Sequence, residues 1–183
     1  MKVKDTPIKG IKIITPEVYF DERGYFFEIF QADKFKQFGI ESDFVQDNQS
    51  YSKYATIRGL HYQVGEFAQG KLVNIVKGKI LDVIVDIRFG SPTFGKHFSI
   101  ELSNQNQKLI WIPPGFAHGF SVLSESAIVI YKCTAKYSPK HERGIKYNDP
   151  KLMIDWRVDN PLVSKKDKVL PALNEIEQNF IYK

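Results

Sequence analysis

Cysteine is nearly absent. The 183-residue chain holds one, Cys133, so no disulfide can close within it. Cys133 lies in an apolar strand pattern with nothing beside it that marks a nucleophile, and it reads as a packed core thiol. Long apolar runs are missing too: none approaches the ~20 residues that span a membrane, and the opening MKVKDTPIKG has no secretory apolar core. There is no run of basic residues. The surplus of 26 Lys+Arg over 21 Asp+Glu gives a net charge of +5 that is spread thinly. That balance suits a small anionic partner such as a nucleotide, or no more than a solvated basic surface, and offers no nucleic-acid tail. Internal repeats, low-complexity tracts and linkers are also lacking. The expectation is a cytoplasmic protein without a membrane or nucleic-acid partner.

What is present is a core. With 43% hydrophobic and 14% aromatic residues the chain is far from the composition of disorder, and its length fits one domain spanning residues 1–183. Ile11–Phe20 reads as a strand broken at Pro16, Asp21–Gly24 as a turn, and Tyr25–Gln31 as a second apolar strand carrying Glu28. Ala32–Phe38 has helical spacing with Gly39 beyond it. Phe44–Ser50, Leu72–Val76, Lys79–Arg88, Phe98–Leu102, Leu109–Ile112, Gly119–Leu123 and Ala127–Thr134 follow as short strands. Lys77-Gly78 between two of them predicts a tight hairpin. Many short strands with frequent turns predict an all-β fold, a sandwich or barrel of the jelly-roll kind. The tail from Asp155 is less regular, with a short helix expected near Ala172–Asn179, and it covers the barrel. Its polar Ser164–Asp167 run could reach a site.

The stretch Ile57–Lys71, IRGLHYQVGEFAQGK, carries the first chemistry. Alternation puts Gly59, His61 and Gln63 on one strand face and Leu60 and Tyr62 on the other. If the strands bearing His61 and Lys71 lie side by side, a proton acceptor and a fixed positive charge share one cavity, which suits enolate chemistry beside a carbonyl. A hydrogen-bonded core histidine and a strand-edge lysine would give the same pattern. In the strand Lys79–Arg88, Asp82 and Asp86 interrupt an otherwise apolar face. Asp82 could line the cavity near Lys71 and tune its charge, though a satisfied structural carboxylate is the expectation.

A second motif, Pro113-Pro114-Gly115-Phe116-Ala117-His118-Gly119-Phe120, fixes His118 at the start of a strand after a sharp turn. This P-x-G-x-x-H pattern resembles the second motif of the cupin superfamily. The first cupin motif holds an H-x-H pair, whereas the position here reads His61-Tyr62-Gln63. An amide is a poor ligand and a protonated lysine is none, so no metal ligand set is expected. Seven blocks in order, DERGYFFE (21–28), QDNQS (46–50), RGLHYQ (58–63), KLVNIVKGKILDVIVDIR (71–88), GSPTFG (90–95), IPPGFAHGF (112–120) and YKCTAKYSP (131–139), closely resemble the dTDP-4-dehydrorhamnose 3,5-epimerase family, a metal-free branch of the cupins.

The resemblance implies a cupin-type jelly-roll β-barrel with a few short peripheral helices. It implies an isomerase with no redox cofactor and no metal, inverting C3 and C5 of a dTDP-4-keto-6-deoxyhexose on the way to dTDP-L-rhamnose and surface polysaccharide. By similarity His61 is the base and Asp167 its carboxylate partner. Lys71 stabilises the O4 enolate with His118 nearby, and Tyr131 is the proton donor, with Tyr137 second to it as a sugar or base-stacking contact. Nucleotide recognition maps onto Arg23, Glu28, Gln46, Asp47, Asn48, Arg58, Glu142 and Lys166. The family's N-terminal strands cross between subunits, which implies a homodimer in which Arg23 and Glu28 complete the partner's site. Tyr25–Phe30 would then be interface or, equally, barrel core. Competing readings are a single-centre epimerase of a related dTDP-4-ketohexose, a metal-dependent cupin such as an oxygenase, and a non-catalytic sugar-binding barrel.

Overall fold

The computed structural model describes residues 1–40 and 43–182. In these the strands are β1 (Lys2–Asp5), β2 (Lys12–Thr15), β3 (Val18–Asp21), β4 (Gly24–Phe27), β5 (Gln46–Lys53), β6 (Thr56–Gln63), β7 (Lys71–Lys77) and β8 (Lys79–Asp86). They continue as β9 (His97–Ser103), β10 (Leu109–Ile112), β11 (Phe116–Val122), β12 (Ser126–Cys133), β13 (Glu142–Gly144) and β14 (Leu162–Val163). Helix α1 covers Ala32–Gln37 and α2 the single turn Lys165–Lys168.

Two sheets face each other. The first runs β1-β2-β10-β7-β12-β5 and the second β13-β6-β11-β8-β9, with β14 added in parallel to β6. Their facing sides make the inner core, where Val73 and Ile75 of β7 and Val129 of β12 meet Ile80 and Ile84 of β8 and Phe116 and Phe120 of β11. Both sheets are also covered outside. Phe35 of α1 and Ile40 pack with Leu72, Leu109 and Trp111 on the first. Leu152, Trp156 and Leu173 of the tail pack with Leu81, Val83 and Val85 on the second. This double coverage explains why β8 reads as nearly continuous apolar sequence rather than a clean alternation. The jelly-roll expectation agrees with this architecture.

Two local expectations are corrected. Lys77-Gly78 is not a hairpin, because β7 pairs with β10 and β12 whereas β8 pairs with β11 and β9. Gly78, at φ +81°, instead turns the corner between the sheets, packed so closely that a Cβ would meet the Ser126 carbonyl oxygen at 2.1 Å. The turn residue is the same in both geometries, so local sequence could not separate them. The tail helix is also misplaced. Only Leu173–Glu175 form a 3-10 turn there, after which the chain runs on to bridge Ile181 with Phe89. Leu173 buries itself against the second sheet, and that anchoring outweighs helical spacing. The helical turn forms at Lys165–Lys168, where Ser164 accepts the Asp167 N–H at 3.0 Å.

The hairpin β3–β4 forms a third sheet of its own. Tyr19, Phe20, Tyr25 and Phe26 are all more than half exposed on it. Tyr25 and Phe26 are therefore not barrel core within one chain. No helix among the described residues is long and apolar enough to cross a membrane.

Candidate active site

β6 and β11 pair so that His61 and His118 stand opposite each other in the ladder. The two backbones approach unusually closely just beside them. At Gly59, φ +119°, a Cβ would lie 2.6 Å from the Gly119 Cα, and at Gly119 one would lie 2.7 Å from the Arg58 carbonyl oxygen. Only a glycine pair permits this crossing, where the register also shifts between His118 and Phe120. The RGLH and AHGF motifs are thus two halves of one contact.

Each imidazole is backed by a carboxylate. Asp167 Oδ1 lies 2.7 Å from His61 Nε2, and Asp82 Oδ2 lies 2.8 Å from His118 Nε2. Asp167 arrives from the tail because β14 runs along β6 and hands the chain to α2 at the barrel mouth. Its second oxygen accepts the Gly59 N–H at 3.3 Å. Burial pushes the Asp167 carboxyl up, but the His61 ring, the Gly59 N–H and Ser164 outweigh it and hold the group below the ordinary carboxylate range. A carboxylate that accepts only fixes the tautomer and plane of the ring. The ring keeps 28% of its side-chain surface exposed while Asp167 keeps 5%.

Lys71 opens β7, in the other sheet. The strands bearing His61 and Lys71 are therefore not neighbours, as the sequence reading supposed, but face each other across the barrel interior. Burial weakens the hold of the Lys71 amine on its proton, while Cys133, Asp82 and Glu142 act the other way. The amine makes no hydrogen bond or ion pair within the protein among the described residues. Tyr131, on the neighbouring β12, is half-buried, and burial holds its phenol above the ordinary value, so it stays protonated near neutral pH.

These groups line one cavity of about 630 Å³, with Arg58, His118, Lys166 and Asp167 in the same wall. A smaller annex of about 190 Å³ shares His61, Lys71 and Tyr131 and adds Gln46, Asn48, Tyr137 and Glu142. There Glu142 accepts from Tyr137 Oη at 2.6 Å and from Lys166 Nζ. Burial raises the Glu142 carboxyl, yet Lys166 and Tyr137 outweigh it and hold it low. Glu28, Asp47 and Asn48 line a third hollow of about 710 Å³ on the outer side, next to the end of β4.

Three of the sequence-predicted residues line neither the central cavity nor its annex within one chain. Arg23 sits at the exposed tip of β3–β4, its Nε 3.1 Å from Asp21. Glu28 accepts from Lys34 at 2.8 Å. Asp47 pairs with Lys132 at 3.0 Å, because alternation along β5 turns Gln46 and Asn48 inward and leaves Asp47 outside. Cys133 is a buried thiol, as expected, and its Sγ accepts from Asn48 at 3.5 Å. Sequence reasoning missed Ser50, which lines the cavity on the inward phase of β5. It also missed the use of Gln63, whose Nε2 donates to the Phe67 and Lys136 carbonyls and whose Oε1 accepts the Ser138 N–H. Where the metal-binding cupins place a ligand, this amide instead clamps the loop that carries Tyr137. Among the described residues no group of three His, Cys, Asp or Glu is arranged to hold a metal ion.

Comparison with known proteins adds a lineage to this geometry. The sequence model of the dTDP-4-dehydrorhamnose 3,5-epimerase family matches residues 5–175. A dTDP-4-dehydrorhamnose 3,5-epimerase of Shigella flexneri is 49% identical over 168 residues, covering 91% of this chain and 93% of that one. The crystal structure of a dTDP-6-deoxy-D-glucose-3,5-epimerase of Legionella pneumophila with dTDP-4-keto-L-rhamnose superposes with a TM-score of 0.96 at 47% identity, covering 100% of this chain and 98% of that one. A 3'-monoepimerase of Streptomyces bikiniensis, solved with dTDP-quinovose, has a TM-score of 0.87 at 32% identity, with 92% and 86% covered. The cavity with its paired histidines and opposed tyrosine sits in a chain that belongs to the dTDP-4-dehydrorhamnose 3,5-epimerase family.

Proposed function

We propose that this chain is an isomerase that inverts C3 and C5 of dTDP-4-keto-6-deoxy-D-glucose, giving dTDP-4-keto-L-rhamnose for the L-rhamnose of surface polysaccharide. One observation carries the reading. His61, backed by Asp167, belongs to one sheet, Tyr131 belongs to the other, and both line the same cavity.

The C4 ketone acidifies the protons on C3 and C5. Neutral His61 takes one of them, its ring becoming an imidazolium beside the Asp167 carboxylate. The electron pair of the broken C–H bond moves into the C4 carbonyl, and the O4 oxyanion is met by the Lys71 ammonium with His118 alongside. The enolate then collapses back to the ketone and takes a proton from the Tyr131 phenol on the opposite face. Solvent resets both groups and the second centre follows. An acceptor and a donor on facing sheets flank the ring from both sides, which inversion requires and binding alone does not. Arg58 and Lys166 line the wall where a diphosphate can be paired. Gln46, Asn48, Tyr137 and Glu142 line the annex beside them, and in this reading they hold the nucleoside and sugar hydroxyls.

The working unit in this reading is a homodimer in the cytoplasm. The exposed aromatic face of β3–β4 is the surface a second copy would cover, and its Arg23, with Glu28, would enter the partner's site.

The deciding experiment is proton NMR of dTDP-4-keto-6-deoxy-D-glucose in deuterated water, with wild type beside His61→Ala. Deuterium at both C3 and C5 with wild type and at neither with the variant is expected. Exchange at one centre alone would mark a single-centre epimerase, a fold-mate of which is the Streptomyces protein above. Binding without exchange would leave only a sugar-nucleotide receptor.

A further inference from the structure

Asp82 is the buried carboxylate at this site that the reaction as written does not use. It sits on β8 on the same inward face as Ile80 and Ile84, has no exposed surface, and does not line the cavity itself. One oxygen is 2.8 Å from His118 Nε2, and the other, Oδ1, is buried with no hydrogen-bond partner among the described residues. Leaving half of a buried carboxylate unpaired is costly. A site that keeps such a group has a use for its charge or its geometry.

We propose that Asp82 is a positioning residue for the epimerisation: it holds His118 with its bare Nδ1 turned into the cavity as an acceptor for a substrate hydroxyl, and its buried charge stands behind Lys71, the group that receives the developing O4 oxyanion. The inference rests on the epimerase reading above.

A carboxylate only accepts, so the hydrogen between the two is on Nε2, and the ring is locked in the plane and flip that serve this bond. His118 Nδ1 then has no protein partner among the described residues and is not sealed off as Asp82 Oδ1 is. His118 lines the cavity, so the lone pair of that nitrogen is available to accept from a ligand hydroxyl. The contrast with the facing histidine is informative. Asp167 is satisfied on both oxygens, by His61 and by the Gly59 N–H. Asp82 is satisfied on one, so its remaining charge acts through space.

The group it acts on is Lys71. The titratable and charged side chains around that amine are Cys133 and Tyr131 from β12, Asp82 from β8, Glu142 from β13 with Tyr137 before it, Arg58 and His61 from β6, His118 from β11, and Lys166, Asp167 and Lys168 from α2. Burial pulls the proton off Lys71, and Cys133, Asp82 and Glu142 oppose that pull. Glu142 is already tied to Lys166 and Tyr137, whereas among the described residues Asp82 pairs with His118 and with no lysine or arginine. Removing Asp82 therefore takes away negative charge that helps Lys71 stay an ammonium.

Two variants separate the two effects. Asp82→Asn keeps an oxygen to accept the Nε2–H but drops the charge, and Asp82→Leu drops both. Expected are losses in kcat of roughly tenfold for Asn and roughly 100-fold for Leu, with KM and dTDP affinity within about twofold of wild type. The basic limb of the pH–rate profile should move to lower pH in both, because Lys71 loses its proton sooner. Nitrogen-15 spectra of the His118 ring should show hydrogen on Nε2 in wild type and Asp82→Asn, and loss of that preference in Asp82→Leu. Unchanged dTDP affinity certifies folding. A wild-type His118 that carries its neutral-form hydrogen on Nδ1 overturns the proposal without any variant. So does a variant with wild-type kcat and pH profile, or one that loses kcat with neither the basic limb nor the ring spectrum altered. Failure of the epimerase reading is seen separately, as absent deuterium exchange in wild type.

Discussion

Asp167 and His61 are 106 residues apart in sequence and 2.7 Å apart in the fold. The contact depends on β14, which lays the tail against β6, and on the Ser164 cap, which forms the turn presenting Asp167. Asp167→Asn should lower kcat by about 10³-fold, since an amide neither fixes the productive tautomer nor balances the imidazolium. dTDP binding should stay near wild type. Steady-state kinetics beside calorimetric titration with dTDP checks this, and an equal loss of dTDP affinity would mean that the tail, not the base, has been disturbed.

Acid stability should be governed by a different carboxylate. Asp86 is fully buried, and burial alone would raise it, but Arg88, Thr93 and Ser91 donate to it and hold it below the ordinary value. A carboxyl depressed in the folded state contributes stability that is present above its unfolded pKa of about 4 and is lost as pH falls through the folded value. Asp86→Asn should cost about 3 kcal/mol at neutral pH, because it strands the Arg88 guanidinium. The deficit should shrink as pH drops below about 4. Urea midpoints of both proteins from pH 7 to pH 3 test it, and a deficit independent of pH would assign the loss to packing.

Lys71 should trade stability for rate. Its amine is unpaired among the described residues, and burial depresses its hold on the proton. A lysine depressed on folding penalises the folded state at neutral pH, and the penalty fades as pH rises through the folded toward the unfolded value near 10. Lys71→Met should therefore melt at or above the wild-type temperature at pH 7. It should lose about 10²- to 10³-fold in kcat, the usual effect of removing an oxyanion donor. A melting temperature several degrees below wild type would show that Lys71 is structurally paired.

Much of this site was legible because it is built on strands. His61, His118, Lys71 and Tyr131 lie in short alternating segments whose phase can be read directly, and all four line one cavity. What could not be read is which segments become neighbours. Gly78 permits a hairpin or a corner between sheets, and only the burial of both faces of β8 decides for the corner. The same gap hid how His61 and Lys71 come together, across the barrel rather than along one sheet. Asp82 was ambiguous for a further reason. A carboxylate among isoleucines looks like a structural group until the histidine it faces, 36 residues on, is placed beside it. Arg23 is the opposite case, a motif residue whose place in one chain is the exposed tip of a hairpin.

That exposed position gives the last test. Among the described residues of one chain Arg23 pairs only with Asp21, and the hairpin behind it presents four largely exposed aromatic rings. If a second copy covers those rings and Arg23 enters its cavity, then each site is made from two chains. Arg23→Ala and His61→Ala should each be nearly inactive as homodimers. After mixing and subunit exchange, half of the dimers are mixed, and each mixed dimer has one site with both residues intact. Activity should return to about a quarter of wild type. Independent chains would give no recovery at any mixing ratio, and a monomer by sedimentation would remove the shared site altogether. Recovery near a quarter, lost again when Phe20 and Phe26 are changed to serine, would tie the aromatic face to the completed site.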